Sequence, residues 1–219
     1  MVQGVVLERG SSSAEGDKRR QILEGARRVF LASGFDGASM GEIARAAGVS
    51  KGTLYVYFDS KEALFEALII LEKSSLAETL FTFDPADSDV PAVLTRLGMS
   101  FLAEMSKPEH ISVHRMVIGV CEKFPHFGQV YYEAGPACGV ARLAAYLDVQ
   151  VQGGRLRITD TTLAAQHFLH LCLAGLLTRL LFAAGSMADE ARQRFQVAEA
   201  VRVFLAGYGA DRQGGAARG

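Results

Sequence analysis

Residues 39–65 read SMGEIARAAGVSKGTLYVYFDSKEALF, and this stretch decides the fold because it predicts two short helices, a tight turn and the start of a third helix. Ser39 and Glu42 have the spacing of a capping box, so a helix is expected to begin there. Gly48 can adopt the left-handed conformation that ends a helix, and Ser50 is a suitable N-cap for the next one. The pattern therefore predicts a helix-turn-helix.

The second helix of this motif is expected to bury Leu54 and Phe58, which lie four residues apart. Its other face is expected to carry Lys51, Thr53, Tyr55 and Tyr57. Gly52 and Thr53 stand where a recognition helix enters the major groove. Thr53 can form a hydrogen bond through its hydroxyl or contact a thymine through its methyl group. The tyrosine hydroxyls suit phosphate contacts, although packing against a neighbouring helix is the alternative for both rings.

Two lysines, Lys51 and Lys61, each occupy the first turn of a predicted helix. The helix macrodipole disfavours a cation there by roughly 0.3–1 kcal/mol. A polyanion outside the protein would reverse that balance, so both positions are candidate contacts to a DNA backbone. The alternative is that each side chain simply extends into water.

The run from Arg20 to Phe65 resembles the DNA-binding domain of TetR-family transcriptional regulators at nearly every position of the family pattern. The resemblance implies a three-helix domain whose third helix recognises the major groove, attached to a larger helical domain for ligand binding and dimerisation. By position it implies seven DNA-contacting residues: Ser39, Lys51, Gly52, Thr53, Tyr55, Tyr57 and Lys61. Val56 stands where many members carry a tyrosine or histidine, so one possible contact is absent or moved.

The whole chain has 219 residues and a formal charge of −1. Its length allows one large or two modest globular domains, and its hydrophobic fraction of 49% is ample for a core. Its three cysteines, Cys121, Cys138 and Cys172, are widely spaced and form neither a disulfide framework nor a zinc pattern. A reducing cytoplasm is the simplest setting. Residues 1–16 lack the apolar core of a signal peptide and are expected to be a disordered arm.

The remainder of the chain predicts further helices, separated by proline-containing or glycine-containing breaks. They cover about 60–80, 91–107, 109–123, 127–149, 161–184 and 189–207, with a kink at Gly135-Pro136. The expected fold is all-α with about nine helices. The expected domains are a helix-turn-helix domain at 17–63, a helical ligand-binding and dimerisation domain at 64–207 and a flexible tail at 208–219.

Residues 161–184 are apolar almost all round, which demands burial on more than one side. A membrane span has about this length, but His167, His170 and Arg179 argue against it. Burial between the chain and a second copy is the better explanation, with 189–207 completing a four-helix bundle. The expected dimer contacts are Leu169, Leu173, Leu176, Leu180, Phe195, Ala198, Val201 and Leu205.

The body also resembles the AefR-like C-terminal domain of a subset of TetR-family regulators, through Arg115, the KFP at 123–125 and the YEAGP at 132–136. The resemblance implies helices that enclose an effector pocket. Large or soft apolar residues on those helices are candidate lining residues, with plain core packing as the alternative: Phe101, Met105, Met116, Cys121, Phe168 and Cys172. Candidate polar contacts are Arg115, Tyr132 and His167.

Catalytic and metal sites find little support. His110 and His114 lie four apart and His167 and His170 three apart, but neither pair is completed by a cysteine or carboxylate at a familiar spacing. The chain contains no glycine-rich phosphate loop, HExxH motif or serine elbow. We therefore expect no metal, no cofactor and no enzymatic activity.

The function predicted from the sequence is that of a homodimeric, cytoplasmic repressor that binds a palindromic double-stranded DNA operator and is released by a small, largely apolar effector. One alternative is a DNA-binding protein of the same fold that responds to a protein partner or to no ligand. A second alternative, from another class, is a helical enzyme or carrier with an incidental helix-turn-helix. No membrane association is expected.

Overall fold

The computed structural model describes residues 8–185 and 189–210, and these residues are mainly helical. Their α-helices are, in chain order, α1 (Glu8–Gly37), α2 (Met40–Ala47), α3 (Lys51–Tyr57), α4 (Lys61–Leu80), α5 (Val90–Met105), α6 (Pro108–Cys121), α7 (Pro125–Tyr132), α8 (Cys138–Gln152), α9 (Thr161–Cys172), α10 (Leu176–Leu181) and α11 (Glu190–Tyr208). Within the described ranges the only β pairing is an isolated bridge between Leu156 and Gly209. The all-α fold class is therefore confirmed.

The described chain has eleven α-helices rather than about nine, because two predicted helices each form two segments. Residues 161–184 divide into α9 and α10, since Gly175 adopts a φ of 71°, which side-chain-bearing residues rarely do. Residues 127–149 divide into α7 and α8 around a π-helical turn, Glu133–Ala137, because Pro136 has no amide to donate. No helix of the described residues combines the length and apolarity needed to cross a bilayer.

The predicted arm and tail fall partly outside the described residues. Residues 1–7 and 211–219 lie outside them, whereas residues 8–16 form the beginning of α1 instead of a disordered arm. This extension is possible because no proline stands between residues 8 and 33 to interrupt the helix. The interruption comes at Gly34, whose φ of 69° and ψ of 176° are not helical.

One compact unit consists of the described residues up to Lys73 together with Met116–Tyr131. In it α1 and α2 approach so closely that a Cβ at Gly25 would lie 2.6 Å from atoms of Ala47. Five phenylalanine rings pack as a cluster, with neighbouring centroids 5.0–6.0 Å apart: Phe30, Phe35, Phe65, Phe124 and Phe127. These rings bring the α6–α7 corner into this unit, although the sequence assigned it to the 64–207 domain.

The other compact unit consists of Ser74–Arg115 and the described residues from Tyr132 onward, and α5, α8, α9 and α11 supply most of its core. Gly98 of α5 allows close packing, because a Cβ there would lie 2.8 Å from Val197 Cγ1 and 3.1 Å from Cys172 Sγ. The units divide within α4, at 73/74, and not at the predicted 63/64 boundary. The difference arises because α4 continues as one helix well past residue 63.

Candidate nucleic-acid interface

The helix-turn-helix has the caps that its sequence predicts. Glu42 N donates to Ser39 Oγ at 3.2 Å, and Ser39 N donates to Glu42 Oε2 at 3.1 Å, which completes a capping box at the start of α2. Gly48 ends α2 with a φ of 66°. Thr53 N then donates to Ser50 Oγ at 3.0 Å and starts α3. The predicted start and end of α2 and the predicted start of α3 are confirmed.

Side chains of α1 hold the end of α2 in place. Gln21 Nε2 donates to Ala47 O at 2.7 Å, and the Arg28 guanidinium donates to Ala46 O. The last carbonyls of a helix have no partner within the helix, so these contacts satisfy groups that would otherwise need water. The turn that orients α3 is therefore supported by the neighbouring helix as well as by its own caps.

The face that α3 presents to solvent differs from the predicted one. Leu54 and Phe58 are buried at 0% and 5% exposure, as expected. The exposed positions are Lys51, Gly52, Tyr55 and Val56, which form two pairs four residues apart and so share one side of the helix. We call these four residues the exposed face of α3. Thr53 and Tyr57 are only half-exposed and lie at its margin.

The Lys51 ammonium is available to an external anion. Within the described part of the chain it has no hydrogen-bond or ion-pair partner. Its aliphatic chain lies beside Gly41 of α2, where a Cβ would come within 3.0 Å of Lys51 Cε. An exposed cation at the start of α3, without a partner among the described residues, can contact an external anion such as a phosphate.

Lys61 has a different environment from the one that its sequence position suggested. Its Nζ donates to Phe35 O at 2.8 Å and to Ala38 O at 3.1 Å, and it lies 4.5 Å from the centre of the Phe35 ring. These contacts explain, without DNA, why a lysine occupies the first turn of α4. A phosphate contact would have to use the third N–H of Lys61 or break these bonds.

Two of the four hydroxyl groups predicted to contact DNA, those of Ser39 and Thr53, have partners within the protein. Ser39 Oγ donates to Glu42 Oε2 at 2.7 Å, and Thr53 Oγ1 lies 2.8 Å from Ser50 Oγ. Each oxygen keeps a lone pair that can accept a further bond, but its first role is local capping. Tyr55 is half exposed, at 50%.

Two residues on this surface were missed by the sequence analysis. Arg45 is exposed in the last turn of α2 and has no partner among the described residues. Val56, which the family pattern suggested as a lost contact, has 81% of its surface exposed. Arg45 could have been found from its place between the buried Ala44 and Ala47, which leaves it facing solvent.

Two family models match this chain, one over the helix-turn-helix region and one over the helical body. The family model described as bacterial regulatory proteins, tetR family, matches residues 22–68. The model described as the AefR-like transcriptional repressor, C-terminal domain, matches residues 92–210, which is more than half of the chain. The chain belongs to the TetR family. Both resemblances noted in the sequence are confirmed.

Individual relatives agree with this assignment. The chain is 30% identical to the HTH-type transcriptional repressor AcnR of Corynebacterium glutamicum over 174 residues, which cover 77% of this chain and 87% of that protein. A Mesorhizobium loti MAFF303099 protein described as a TetR-family transcriptional regulator has a TM-score of 0.83 at 27% identity, covering 89% of this chain and 98% of that one. The flavonoid-responsive regulator FrrA has a TM-score of 0.77 at 30% identity, with the same coverage. This TetR-family chain is thus a DNA-binding transcriptional regulator and not an enzyme.

The residues predicted to bind an effector are divided between the two compact units. Phe168 and Cys172 are fully buried in the core of their unit, and burial raises the pKa of the Cys172 thiol to about 12. Met105 is buried and Phe101 partly buried in the same unit. Met116 and Cys121 belong to the other compact unit, where both are half-buried.

The predicted polar effector contacts have partners or lie at the surface. The Arg115 guanidinium donates to Leu180 O at 2.6 Å and Leu181 O at 2.8 Å, and so caps the end of α10. His167 Nδ1 lies 2.7 Å from the Tyr208 hydroxyl. Tyr132 has 55% of its surface exposed.

Lys73 of α4 is a buried charge that the sequence did not reveal. It has 2% of its surface exposed, and its Nζ lies 4.5 Å from the centre of the Tyr131 ring. The neighbouring Glu72 forms its closest contact with Arg27, at 2.7 Å. Desolvation lowers the pKa of Lys73 to about 8, and Glu72 opposes this only in part.

The residues predicted to form the dimer interface fall into three groups. Those buried in the core of a single copy are Leu169, Leu176 and Val201. Those packed at the edge of that core are Leu173, Leu180 and Leu205. Those that are exposed are Phe195 and Ala198. The same unit exposes three large apolar side chains that the sequence did not single out: Leu163, Phe182 and Val203.

Three of the four histidines in the predicted pairs contact backbone carbonyls. His110 Nδ1 lies 2.6 Å from Glu104 O, His114 Nδ1 lies 2.8 Å from His110 O, and His170 Nδ1 lies 2.8 Å from Gln166 O. No group of three potential metal ligands occurs in the part of the chain that the structure describes.

Proposed function

We propose that this TetR-family regulator is a homodimeric cytoplasmic repressor that binds a palindromic operator and is released by a small, largely apolar effector. In this proposal the helix-turn-helix contacts DNA, and the helical body binds the effector and the second copy. The observation that carries the proposal is the exposed face of α3. Ser50 caps the start of α3, Gln21 of α1 bonds the end of α2 just before the turn, and Lys51 has no partner within the described residues.

The composition of the exposed face of α3 suits the major groove. Lys51 supplies a positive charge for a phosphate, and the Tyr55 hydroxyl supplies a hydrogen-bonding group. At Gly52 the nearest atom to an added Cβ would be Ser50 Oγ, at 3.8 Å, so the surface there is open to close approach. These contacts are proposals for Lys51, Gly52, Tyr55 and, at the margin, Thr53, Tyr57 and Ser39. Lys61 is the weakest of the predicted contacts because its ammonium is already bonded.

Exposed apolar side chains support a second copy of the chain as partner of the body. Phe182 and Phe195 have 79% and 55% of their surfaces exposed, and Leu163 and Val203 have 45% and 43%. All four lie in the two segments, 161–184 and 189–207, for which the sequence predicts contact with a second copy, and a dimer would remove their apolar surfaces from water. A two-fold dimer places two recognition helices on DNA, and adjacent major grooves on one face are about 34 Å apart, which calls for a palindromic site.

The effector part of the proposal rests on a relative. FrrA is 30% identical to this chain over 98% of the FrrA chain, and it is described as flavonoid-responsive. A flavonoid is a small, mostly apolar aromatic molecule. A ligand that binds better to the form that cannot bind DNA would lower operator occupancy by no more than its differential affinity. The alternative is a regulator that ignores small molecules. It is favoured by the fact that Arg115 and His167 already have partners in the protein.

The test begins with selection of random DNA duplexes by the full-length protein, followed by sequencing of the enriched fragments. We expect a palindrome with half-sites about one helical turn apart, bound by two chains, with the mass of the complex measured by light scattering. An enriched site without two-fold symmetry, or binding by a single chain, would contradict the homodimer.

Release is then measured by fluorescence anisotropy of the labelled operator. Naringenin represents the flavonoids, and decanol serves as an apolar control without aromatic rings. Release by naringenin, by decanol or by both supports an apolar effector, while release by neither favours the ligand-independent alternative. A reporter gene behind the operator separates repression from activation.

A further inference from the structure

Val56 is the most exposed of the large hydrophobic side chains that the structure describes on the surface, with 81% of its area in contact with solvent. It lies in the last turn of α3, beside Tyr55 and four residues after Gly52. Because so little of its isopropyl group is buried, packing within the protein does not account for a valine at this position. Its methyl groups are instead available to a partner.

The neighbours of Val56 limit what that partner can be. The exposed face of α3 combines the Lys51 ammonium, which no described residue pairs, with the Tyr55 phenol, the open surface at Gly52 and the aliphatic Val56. A matching surface must carry negative charge at its edge and an apolar group farther in. The major groove of DNA has this arrangement, since phosphates line it and the C5-methyl of thymine is the apolar group among its base edges.

We propose that Val56 is a specificity-determining residue that recognises the C5-methyl group of a thymine in each half-site. The inference rests on the proposed binding of α3 in the major groove and extends it to one base. The distance from Gly52 to Val56 along the helix axis is about 6 Å, at 1.5 Å per residue. This spans about two base-pair steps of 3.4 Å, so the thymine is distinct from the base that lies nearest to Gly52.

The test removes the methyl group from the DNA and the valine from the protein, separately and together. Each thymine of the selected operator half-site is replaced in turn by deoxyuridine, which lacks only the C5-methyl. The affinities of the wild-type protein and of Val56→Ala are then measured for every duplex. We expect one thymine per half-site at which deoxyuridine weakens wild-type binding about fourfold, as loss of one buried methyl group predicts. At that position Val56→Ala should be insensitive to the replacement.

Two further variants separate recognition from a structural effect. Val56→Thr keeps a methyl group in the same shape and should retain most of the dependence on the thymine methyl. Tyr55→Phe changes the adjacent residue on the same face and should leave that dependence intact. Val56→Ala should unfold at the same temperature as the wild type or slightly higher, because the valine side chain is mostly in solvent and alanine favours a helix more than valine does.

Two outcomes would overturn the role of Val56 and leave the proposed operator binding intact. In the first, no deoxyuridine replacement weakens the wild type more than it weakens Val56→Ala. In the second, Val56→Ala loses affinity equally for every duplex, which would indicate contact with the sugar-phosphate backbone. If the wild-type protein enriches no sequence at all, the operator-binding proposal fails and the inference for Val56 fails with it.

Discussion

The beginnings of α3 and α4 have the same dipeptide, Ser50-Lys51 and Ser60-Lys61, yet the two lysines have opposite environments. Both serines accept a bond from an amide three residues later, at 3.0 Å and 3.1 Å. Lys51 then extends over Gly41 with no partner among the described residues, whereas Lys61 donates to two carbonyls. The same local sequence therefore gives the same N-cap hydrogen bond in both helices, but the two lysine ammonium groups have different partners.

The difference shows how a structural cation is separated from a binding one. A lysine whose N–H groups are bonded to carbonyls contributes to folding whether or not a partner is present. A lysine that stays solvated contributes to binding only when an anion arrives, and then its effect depends on salt. Lys61→Ala and Lys51→Ala test this distinction directly. Lys73→Met extends the comparison to a buried lysine, and Gly52→Ala extends it to the surface next to Lys51.

Lys61→Ala should lower the free energy of unfolding by about 2–3 kcal/mol, because two hydrogen bonds from a charged donor and a ring contact are lost. Urea titration followed by circular dichroism measures the change. The matched control is Lys51→Ala, which should stay within about 0.5 kcal/mol of the wild type. Equal stability of the two variants would remove the distinction between the lysines.

Lys73→Met should stabilise the protein by about 1–2 kcal/mol near pH 7, since methionine keeps the apolar stem without the desolvated charge. The pKa of Lys73 falls from 10.5 to about 8 on folding, so between these values the unfolded chain binds more protons than the folded one. Wild-type stability should therefore rise with pH across that window.

The gain from Lys73→Met should shrink above pH 8 and disappear near pH 10.5, as measured by urea titrations at a series of pH values. Glu66→Gln, on the same helix and half-exposed, is the control for general charge effects. A gain that stays constant with pH would show that packing, and not the buried charge, is responsible.

Lys51→Ala should weaken operator binding about fivefold at low salt, because one phosphate contact per half-site is lost. The slope of log affinity against log salt should become shallower by about one for each half-site. Anisotropy titrations at several KCl concentrations measure both quantities. If Lys61→Ala changes the slope by the same amount, Lys61 leaves its carbonyls when DNA binds.

Gly52→Ala should raise the free energy of unfolding by about 0.5 kcal/mol, since alanine favours the helix and no atom lies closer than 3.8 Å to the new Cβ. The same variant should bind the operator more weakly, because the methyl group projects toward the DNA. Thermal unfolding measures the change in stability, and anisotropy titration of the same preparation measures the change in operator affinity. Tighter binding would show that Gly52 does not lie against a base.

Much of the helix-turn-helix was predictable because its caps join residues three positions apart. The capping box of Ser39 and Glu42 and the left-handed Gly48 required no knowledge of other helices. The exposed face of α3 was predicted only in part. Thr53 and Tyr57 were expected on it and proved half-buried, and Val56 was discounted although it is the most exposed large hydrophobic residue of that helix.

The body was less predictable because its contacts join distant residues. Arg115 matched a family segment and was expected to contact an effector, but its partners are carbonyls 65 and 66 positions away. Phe124 and Phe127 were assigned to the body by their position in the chain, yet their rings pack with Phe35. A hydrophobic pattern states that a residue is buried without stating against what.

The sequence by itself determined the helical class, the limits of α2, the start of α3 and the family, because these follow from hydrogen bonds and spacings within a few residues. Only the tertiary structure decided which of the two lysines donates to carbonyls. The carbonyls that bind Lys61 belong to residues 26 and 23 positions earlier, and they reach it because the end of α1 packs beside the start of α4. Such a contact depends on how helices pack, and no local pattern records it.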